Sequence, residues 1–496
     1  MLSKRILKYL NETPDRVFAK DINGTEYTLD QLRNDINLVK NNLAAHNLSL
    51  NGKIVGIAMR SSYEWIVTHF ATMELGTILL PVPLEFADEQ IASLMTKATA
   101  VFVADEQQHK RINAILPDKL CINAKGEPLN KNKLGDMVEI PAGLLSIIHT
   151  SGTTSKPKGV MIRDEALNIL VNSLFKRVPA QPLHYLSIVP MSLLIEQVLG
   201  IYLPLLSGGT ITFMPKAMTE YGAGIGEPID YLNLIKQATP NFIYLPPKLL
   251  EETNRVLEES ADKTTLFGSA IDFDKLHIIT GGAKISPEII QSLDNHNINV
   301  FEAYGLSENS SVISINGPNE RKIGSVGKLL DGIVPKFVDG ELLVKTPTLC
   351  AGYYNADDTA CDLSDGYLHT GDIAEIRDGY LYITGRKKHV IILSNSRNLS
   401  PEWVESIYKQ SLLIDDMIVI GEAQAYPTAI ILSKADKHAI HNELHKYHDQ
   451  IAKFAQINHF ELINDVDAFR GQYYTVSGKP KRSEIDQSFS TSLYRN

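Results

Sequence analysis

IIHTSGTTSKPKGV, residues 147–160, is an apolar run that gives way to hydroxyls, glycines and lysines. Its first residues read as the end of a strand, and the polar loop as the place where that strand's sheet meets solvent. The loop supplies Thr150, Ser151, Gly152, Thr153, Thr154 and Ser155, then Lys156, Lys158 and Gly159. Small residues let backbone N–H groups approach phosphate oxygens, hydroxyls donate to them, and lysines offset their charge. The composition suits a triphosphate, although an ordinary polar turn has a similar one. Spacing excludes the P-loop of nucleoside triphosphatases, whose second glycine would fall on Pro157.

Working outward, apolar runs with the same kind of ending recur: KIVGIAM (53–59), TILLPV (77–82), AVFVAD (100–105), YLSIVP (185–190), GTITFMP (209–215), NFIYLPP (241–247), LHIITGG (276–282) and INVFEAYG (298–305). Helical patterns lie between several of them, around Tyr63 to Leu75 and Glu89 to Lys97. This alternation predicts an α/β fold of mainly parallel, helix-covered sheets, which place ligands at the strand ends. Near Gly324 the texture changes to glycine-punctuated strands, GSVGKLL, KFVDGELLVKTP and DGYLHTGDIAEIRDGYLYITG, which predict an antiparallel or barrel-like subdomain over 324–385. After the charged string RKKHV a new strand, IILS, and a helix opening near Ser400 and Pro401 mark a small α/β unit. The expected division is therefore 1–385, a hinge at 386–390, and a mobile domain over 391–496.

A chain of 496 residues suits a large body plus a smaller unit, and 44% apolar with 21% charged residues is an ordinary globular balance, so most of it should fold. A net charge of −10 argues against general nucleic-acid binding. Cys121, Cys350 and Cys361 lack CxxC spacing, which favours neither a disulfide framework nor a cysteine zinc site and fits a reducing cytoplasm. The N-terminus lacks an export signal, and Tyr185 to Leu206, the most membrane-like stretch, is interrupted by Pro190, Glu196 and Pro204 and reads as buried core. His438, His441, His445 and His448 share one side of a helix beside an apolar stripe of Ile440, Leu444, Tyr447 and Ile451, and read as solvated imidazoles before a zinc site.

TSGTTSKPKGV closely resembles the phosphate loop of the adenylate-forming superfamily, which includes acyl-CoA synthetases, luciferases and nonribosomal peptide adenylation domains. The resemblance continues in chain order through EAYGLSEN (302–309), GELLVKTPTLCAGYY (340–354), YLHTGDIAEI (367–376), ITGRKKHVIILS (383–394) and YTVSGKPKR (474–482). It covers essentially the whole chain and implies a large N-terminal and a mobile C-terminal domain. One departure is Ser155, where the family usually has glycine.

The resemblance implies an ATP site made from Thr150, Ser151, Gly152, Thr153, Thr154, Lys158, Tyr304, Gly305, Ser307, Asp372 and Arg386, with Thr150, Glu308 and Lys479 in the catalytic set. Tyr304 would stack on adenine, Ser307 contact the α-phosphate, and Glu308 hold Mg2+ through a hard oxygen. Asp372 would accept the ribose hydroxyls, with Arg386 on the same nucleotide. Lys479 would bring the substrate carboxylate and the α-phosphate together by offsetting their charge. Lys388 occupies the hinge position about which the C-terminal domain would swing to admit a thiol. Taken singly, each motif also reads as a loop or a solvated charge.

The implied reaction is ATP-dependent formation of an acyl-AMP, then acyl transfer to the phosphopantetheine thiol of coenzyme A or of an acyl carrier protein. VPMSLLIEQVLGIYLPLLSGGTITF (189–213) resembles fatty acyl ligases more than amino-acid adenylating domains, which points to a medium- or long-chain fatty acid. Leu193, Gly281, Gly282 and Ala283 would line the acyl pocket, Leu193 standing where many relatives carry histidine or an aromatic residue. An amino-acid substrate would need a buried acid near Leu193, for which Glu196 is the nearest candidate. SNSRNLSPEWVE (394–405) lacks the glycine-rich form common in coenzyme A ligases and leaves the acceptor open. Two alternatives stand beside this reading: an enzyme for an aryl, amino or hydroxy acid that stops at acyl-AMP or uses it otherwise, and a catalytically impaired nucleotide sensor.

Overall fold

The computed structural model describes residues 1–150, 158–223, 226–260, 267–354, 361–394, 397–422, 424–475 and 478–493. KIVGIAM forms the strand Ile54–Ala58, buried along its whole length. Its side chains alternate between two apolar clusters, Val55 and Ile57 in one and Ile54 and Ala58 in the other, as the period of a strand covered on both faces requires. This strand is central to a seven-stranded sheet with the order Tyr353–Tyr354, Lys158–Arg163, Leu144–Thr150, Ile78–Pro81, Ile54–Ala58, Ala100–Val103, Leu120–Asn123. The last five run parallel, and Lys158–Arg163 turns back antiparallel with Lys158 opposite Thr150. The lysine-rich loop thus connects a hairpin at one end of this sheet.

A second, nine-stranded sheet carries the later runs in parallel: Val300–Leu306, His277–Gly281, Phe242–Tyr244, His184–Ser187 and Thr210–Phe213. Val17–Asp21 joins them with Ala19 opposite Ile211, a pairing that no local pattern announces. Antiparallel strands close both edges, Ser311–Ile315 and Lys328–Leu329 on one side and Glu26–Thr28 on the other. One buried cluster takes side chains from both sheets and from the helix Tyr63–Glu74. That helix starts where the Ser62 hydroxyl accepts from the Trp65 amide, satisfying one of its free donors. The stretch from Tyr185 is buried except around Leu193 and at its end, passing from strand into a π-helical turn, Gln197–Tyr202, and a helix, Leu203–Ser207, that stops at Gly208 in a left-handed conformation. Among the described residues no helix is long and apolar enough to cross a membrane.

The glycine-punctuated segment is divided: Lys328–Leu329 and Tyr353–Tyr354 pair into the two large sheets, while Val334–Val338, Glu341–Lys345, Tyr367–Arg377 and Leu363–Ser364 form an antiparallel sheet in that order with Tyr380–Arg386 also paired to the long strand. From Ile391 onward the chain builds separate apolar clusters around the strands Asp416–Ile420, Thr428–Leu432 and Phe460–Ile463. This small unit docks on the large one through polar contacts. Ser400 Oγ donates to the Thr384 carbonyl at 2.7 Å, Lys248 Nζ to the Asp415 carbonyl at 3.0 Å, and Lys409 Nζ lies 3.8 Å from Glu251 and 3.3 Å from Asp416.

Candidate active site

Asp372 is the centre of the polar site. It sits on the strand Tyr367–Arg377, is 3% exposed, and holds two partners: Tyr304 Oη donates to Oδ2 at 2.6 Å and Arg386 Nε to Oδ1 at 2.7 Å. Strand register puts Arg386 opposite Asp372, whereas Tyr304 reaches it from the nine-stranded sheet. Burial raises the Tyr304 phenol far above its ordinary value and the Asp372 charge adds to this, so Tyr304 is a neutral donor. Burial pulls the Arg386 guanidinium down, but Asp372 more than offsets it. The turn before Asp372 is anchored by Glu341, whose carboxylate accepts from Lys387 Nζ at 2.7 Å, His369 Nδ1 at 3.1 Å and the Gly371 amide at 3.1 Å.

Lys479 approaches this pair from the C-terminal unit. A tight turn presents it: the Thr475 amide donates to the Lys479 carbonyl at 2.8 Å, the Lys479 amide to Thr475 Oγ1 at 3.1 Å, and Gly478 takes φ +73° between them. Its ammonium is pushed down by desolvation and by the charge of Arg386, while Asp372 acts the other way. The side chain keeps an open surface, so the desolvation is that of a crevice and not of a sealed core.

Glu308 lies on a single 3₁₀ turn, Ser307–Asn309, with Tyr353 Oη donating to its Oε1 at 2.9 Å and the Cys350 amide to its carbonyl at 2.8 Å. No cation among the described residues lies within ion-pair distance of Glu308. A half-buried carboxylate held by one neutral donor, with oxygen left to ligate, fits a magnesium ion. The chain reverses sharply here: Ser310 and Ser311 adopt φ +55° and +107°, and a Cβ on Gly305 would stand 1.7 Å from the Ser311 carbonyl oxygen. Only glycine fits position 305, and the strained residues follow directly after Ser307 and Glu308.

The Gly281 carbonyl accepts from Tyr244 Oη at 2.9 Å, and a Cβ on Gly281 would meet the Ala303 carbonyl at 2.4 Å, which brings this loop against the strand that carries Tyr304. Gly282 and Ala283 follow with exposed surface, and Leu193 is 38% exposed at the start of its short helix. Glu196 is fully buried and takes hydrogen bonds from Tyr185 Oη at 2.5 Å and Ser187 Oγ at 2.6 Å. Burial pushes its carboxyl up to about 8, so at neutral pH it is a satisfied, uncharged acid and a poor partner for an ammonium group.

The structure therefore brings Tyr304, Asp372, Arg386 and Lys479 together, with Gly305, Ser307 and Glu308 continuing the chain from Tyr304. Ser151, Gly152, Thr153, Thr154 and Ser155, and the side chains of Thr150 and Lys158, lie outside the described residues. Lys388 is exposed on a short 3₁₀ turn between Lys387, bound to Glu341, and His389, whose Nδ1 is 2.5 Å from Glu402. Sequence reading missed Tyr353, Tyr244 and Glu341. All three stand in quoted stretches, Tyr353 in GYY, Glu341 in GELLVKTP and Tyr244 in NFIYLPP, but their partners are 45, 46 and 37 residues away and no local signal names them.

A family model described as AMP-binding enzyme matches residues 7–354, and one described as AMP-binding enzyme C-terminal domain matches residues 388–461. A long-chain-fatty-acid–CoA ligase of Mycobacterium bovis is 24% identical over 86% of this chain and 81% of its own length. A 2-succinylbenzoate–CoA ligase of Bacillus thuringiensis is 24% identical over 89% of this chain and 90% of its own. The crystal structure of an anthranilate CoA ligase in complex with anthranoyl-AMP superposes with a TM-score of 0.80 at 17% identity, covering 99% of this chain and 98% of that one.

Proposed function

Because the chain belongs to the AMP-binding enzyme family and is an adenylate-forming ligase of the acyl-CoA ligase type, we propose that it activates a medium- or long-chain fatty acid with ATP and transfers the acyl group to coenzyme A. The observation that carries this reading is the convergence of Tyr304, Asp372 and Arg386 with Lys479, contributed by two structural units. Asp372 and Arg386 take the ribose, Tyr304 the adenine, and Ser307 with the loop Thr150–Thr154 and Lys158 the phosphates. Glu308 would hold a magnesium ion, which would supply positive charge to offset that of the phosphates.

The substrate carboxylate oxygen attacks the α-phosphorus, a new O–P bond forms, and the bond to pyrophosphate breaks. Lys479 stands between the two anions, and its ammonium offsets their repulsion where water would otherwise be needed. The small unit then turns about residues 386–390, with Lys388 exposed at the pivot, and withdraws Lys479 so that a thiol can attack the acyl carbonyl and release AMP. Neutral, saturated Glu196 favours an acid without an amino group. Leu193, Gly281, Gly282 and Ala283 then border an uncharged acyl pocket.

Pyrophosphate release is to be measured across straight-chain, aromatic and amino acids, followed by mass analysis of products with coenzyme A or a phosphopantetheinylated carrier protein. Long straight chains giving acyl-CoA is the expected result. Failure of every acid to form an adenylate overturns the enzyme reading. Preference for aromatic acids favours the aryl alternative, which the 2-succinylbenzoate–CoA ligase supports at the same identity over slightly more of the chain. Acylation of the carrier protein alone reassigns the acceptor.

A further inference from the structure

Cys350 and Cys361, eleven residues apart, meet sulfur to sulfur at 2.8 Å beside Glu308. Both are free thiols, Cys350 almost fully buried and Cys361 partly open. A disulfide bond is about 2.05 Å long, so closing it takes an approach of less than about 1 Å. Cys121, by contrast, is buried in a different apolar cluster.

Cys350 is fixed on two sides. Its amide donates to the Glu308 carbonyl at 2.8 Å, and the next residue, Ala351, donates its amide to the Met161 carbonyl at 2.8 Å on the strand that leaves the lysine-rich loop. Tyr353, three residues on, holds the Glu308 carboxylate and lies opposite Val160 on that same strand. Cys361 belongs to the other half of the site. The carbonyl of its neighbour Asp362 accepts from the His369 amide at 3.0 Å, and the adjoining strand Leu363–Ser364 pairs with the strand that carries Asp372. The two sulfurs therefore join the backbone around the metal carboxylate to the sheet that bears the ribose carboxylate.

We infer that Cys350 and Cys361 form a reversible oxidation site, and that their disulfide weakens magnesium-ATP binding by drawing these two supports together. Hydrogen peroxide is the oxidant. The more open Cys361 sulfur attacks one peroxide oxygen, an S–O bond forms, the O–O bond breaks, and one water leaves. The Cys350 sulfur then attacks the Cys361 sulfur, the S–S bond forms, the S–O bond breaks, and a second water leaves. The two thiols lose two electrons and two protons, and the peroxide is reduced to water. Bond formation here is local and reducible, the pattern of disulfides that serve as sensors in a reducing compartment. The coupling to nucleotide rests on the role given to Glu308; the thiol chemistry does not.

The test is run on the full-length protein, reduced and after peroxide treatment. Intact mass and peptide mapping report the bond, and titration calorimetry with magnesium-ATP reports the affinity. The expected result is a species lighter by two hydrogens that contains a Cys350–Cys361 cross-link, binds magnesium-ATP about tenfold more weakly, and recovers with dithiothreitol. Cys361→Ser should retain reduced-form affinity and lose peroxide sensitivity, while Cys121→Ser should remain sensitive. Absence of the cross-link at peroxide levels that oxidise exposed methionines overturns the site. A cross-link that leaves affinity within twofold overturns the coupling. Reduced protein that fails to bind magnesium-ATP overturns the functional reading instead, since the mass measurement stands apart from it.

Discussion

The Asp372 carboxylate shows how far one side chain can organise a site. It is buried, so both its oxygens need donors, and Tyr304 and Arg386 supply them before any ribose arrives. Tyr304→Phe removes one donor and leaves the charge pair intact. Steady-state kinetics should show KM for ATP raised by about 3–10-fold with little change in kcat. Lys479→Ala should lower acid-dependent pyrophosphate release by about 10²–10³-fold while sparing thioester formation from supplied acyl-AMP. Equal losses in both half-reactions would contradict the two-orientation scheme. The Lys479 ammonium is pushed below the ordinary lysine value, so its charge is present at low pH and is lost on the alkaline side earlier than for a free lysine. The adenylation rate should fall along that alkaline limb, and Lys479→Arg should remove the limb even at a reduced rate. That Tyr304, Asp372, Arg386 and Lys479 belong to one place was legible from the ordered run of motifs and their resemblance to one family, and not from any motif taken singly. Tyr353 and Glu341 were not, because their value lies in partners 45 and 46 residues away that strand register supplies.

At the scale of elements, apolar runs ended by glycine or proline announced most parallel strands, since a strand buried on both faces is apolar at every position. The order of those strands was hidden. Val17–Asp21 lies beside Thr210–Phe213 through a long-range pairing, and the π-helical turn Gln197–Tyr202 leaves no periodic trace distinct from a helix. The contact between the helix Pro247–Ser260 and the C-terminal unit was equally illegible, since Lys248, Glu251 and Lys409 read singly as solvated charges. Buried Asp416 would ordinarily titrate high, but Lys409 and Lys248 hold it down at about 2. Its contribution is present above the ordinary aspartate range and lost only as the pH falls toward 2. Asp416→Asn leaves Lys409 with its more distant partner and should destabilise the protein by about 2–3 kcal/mol in denaturant titrations, below the usual cost of a broken buried pair because neither side chain is fully sealed. Glu251→Gln should slow adenylation about 3–10-fold without slowing thioester formation from acyl-AMP, because the proposed swing of the small unit would give this contact up.

For the whole molecule, three carboxyls set the pH response, Glu196 fully buried and Glu85 and Glu302 partly so. Burial raises Glu85 to about 7 and both Glu196 and Glu302 to about 8. The folded chain keeps these protons through a range in which the unfolded chain has released them, so their contribution to stability is full below the ordinary glutamate value and declines from there as pH rises toward 7 to 8. Each group adds a slope of at most about 1.4 kcal/mol per pH unit. Glu196→Gln keeps an acceptor for one of Tyr185 and Ser187 and offers the other an amide donor, but does not ionise, so its melting temperature should fall less steeply between pH 6 and 9 than that of the unsubstituted protein. Division of the site between two units has another effect. In the docked orientation the Lys479 ammonium feels the like charge of Arg386, a repulsion that Asp372 opposes only in part. On the roles proposed above, the phosphates of ATP would add the missing negative charge, so the nucleotide should act as the cement between the units as well as the reactant, and closure should be favoured once it is bound.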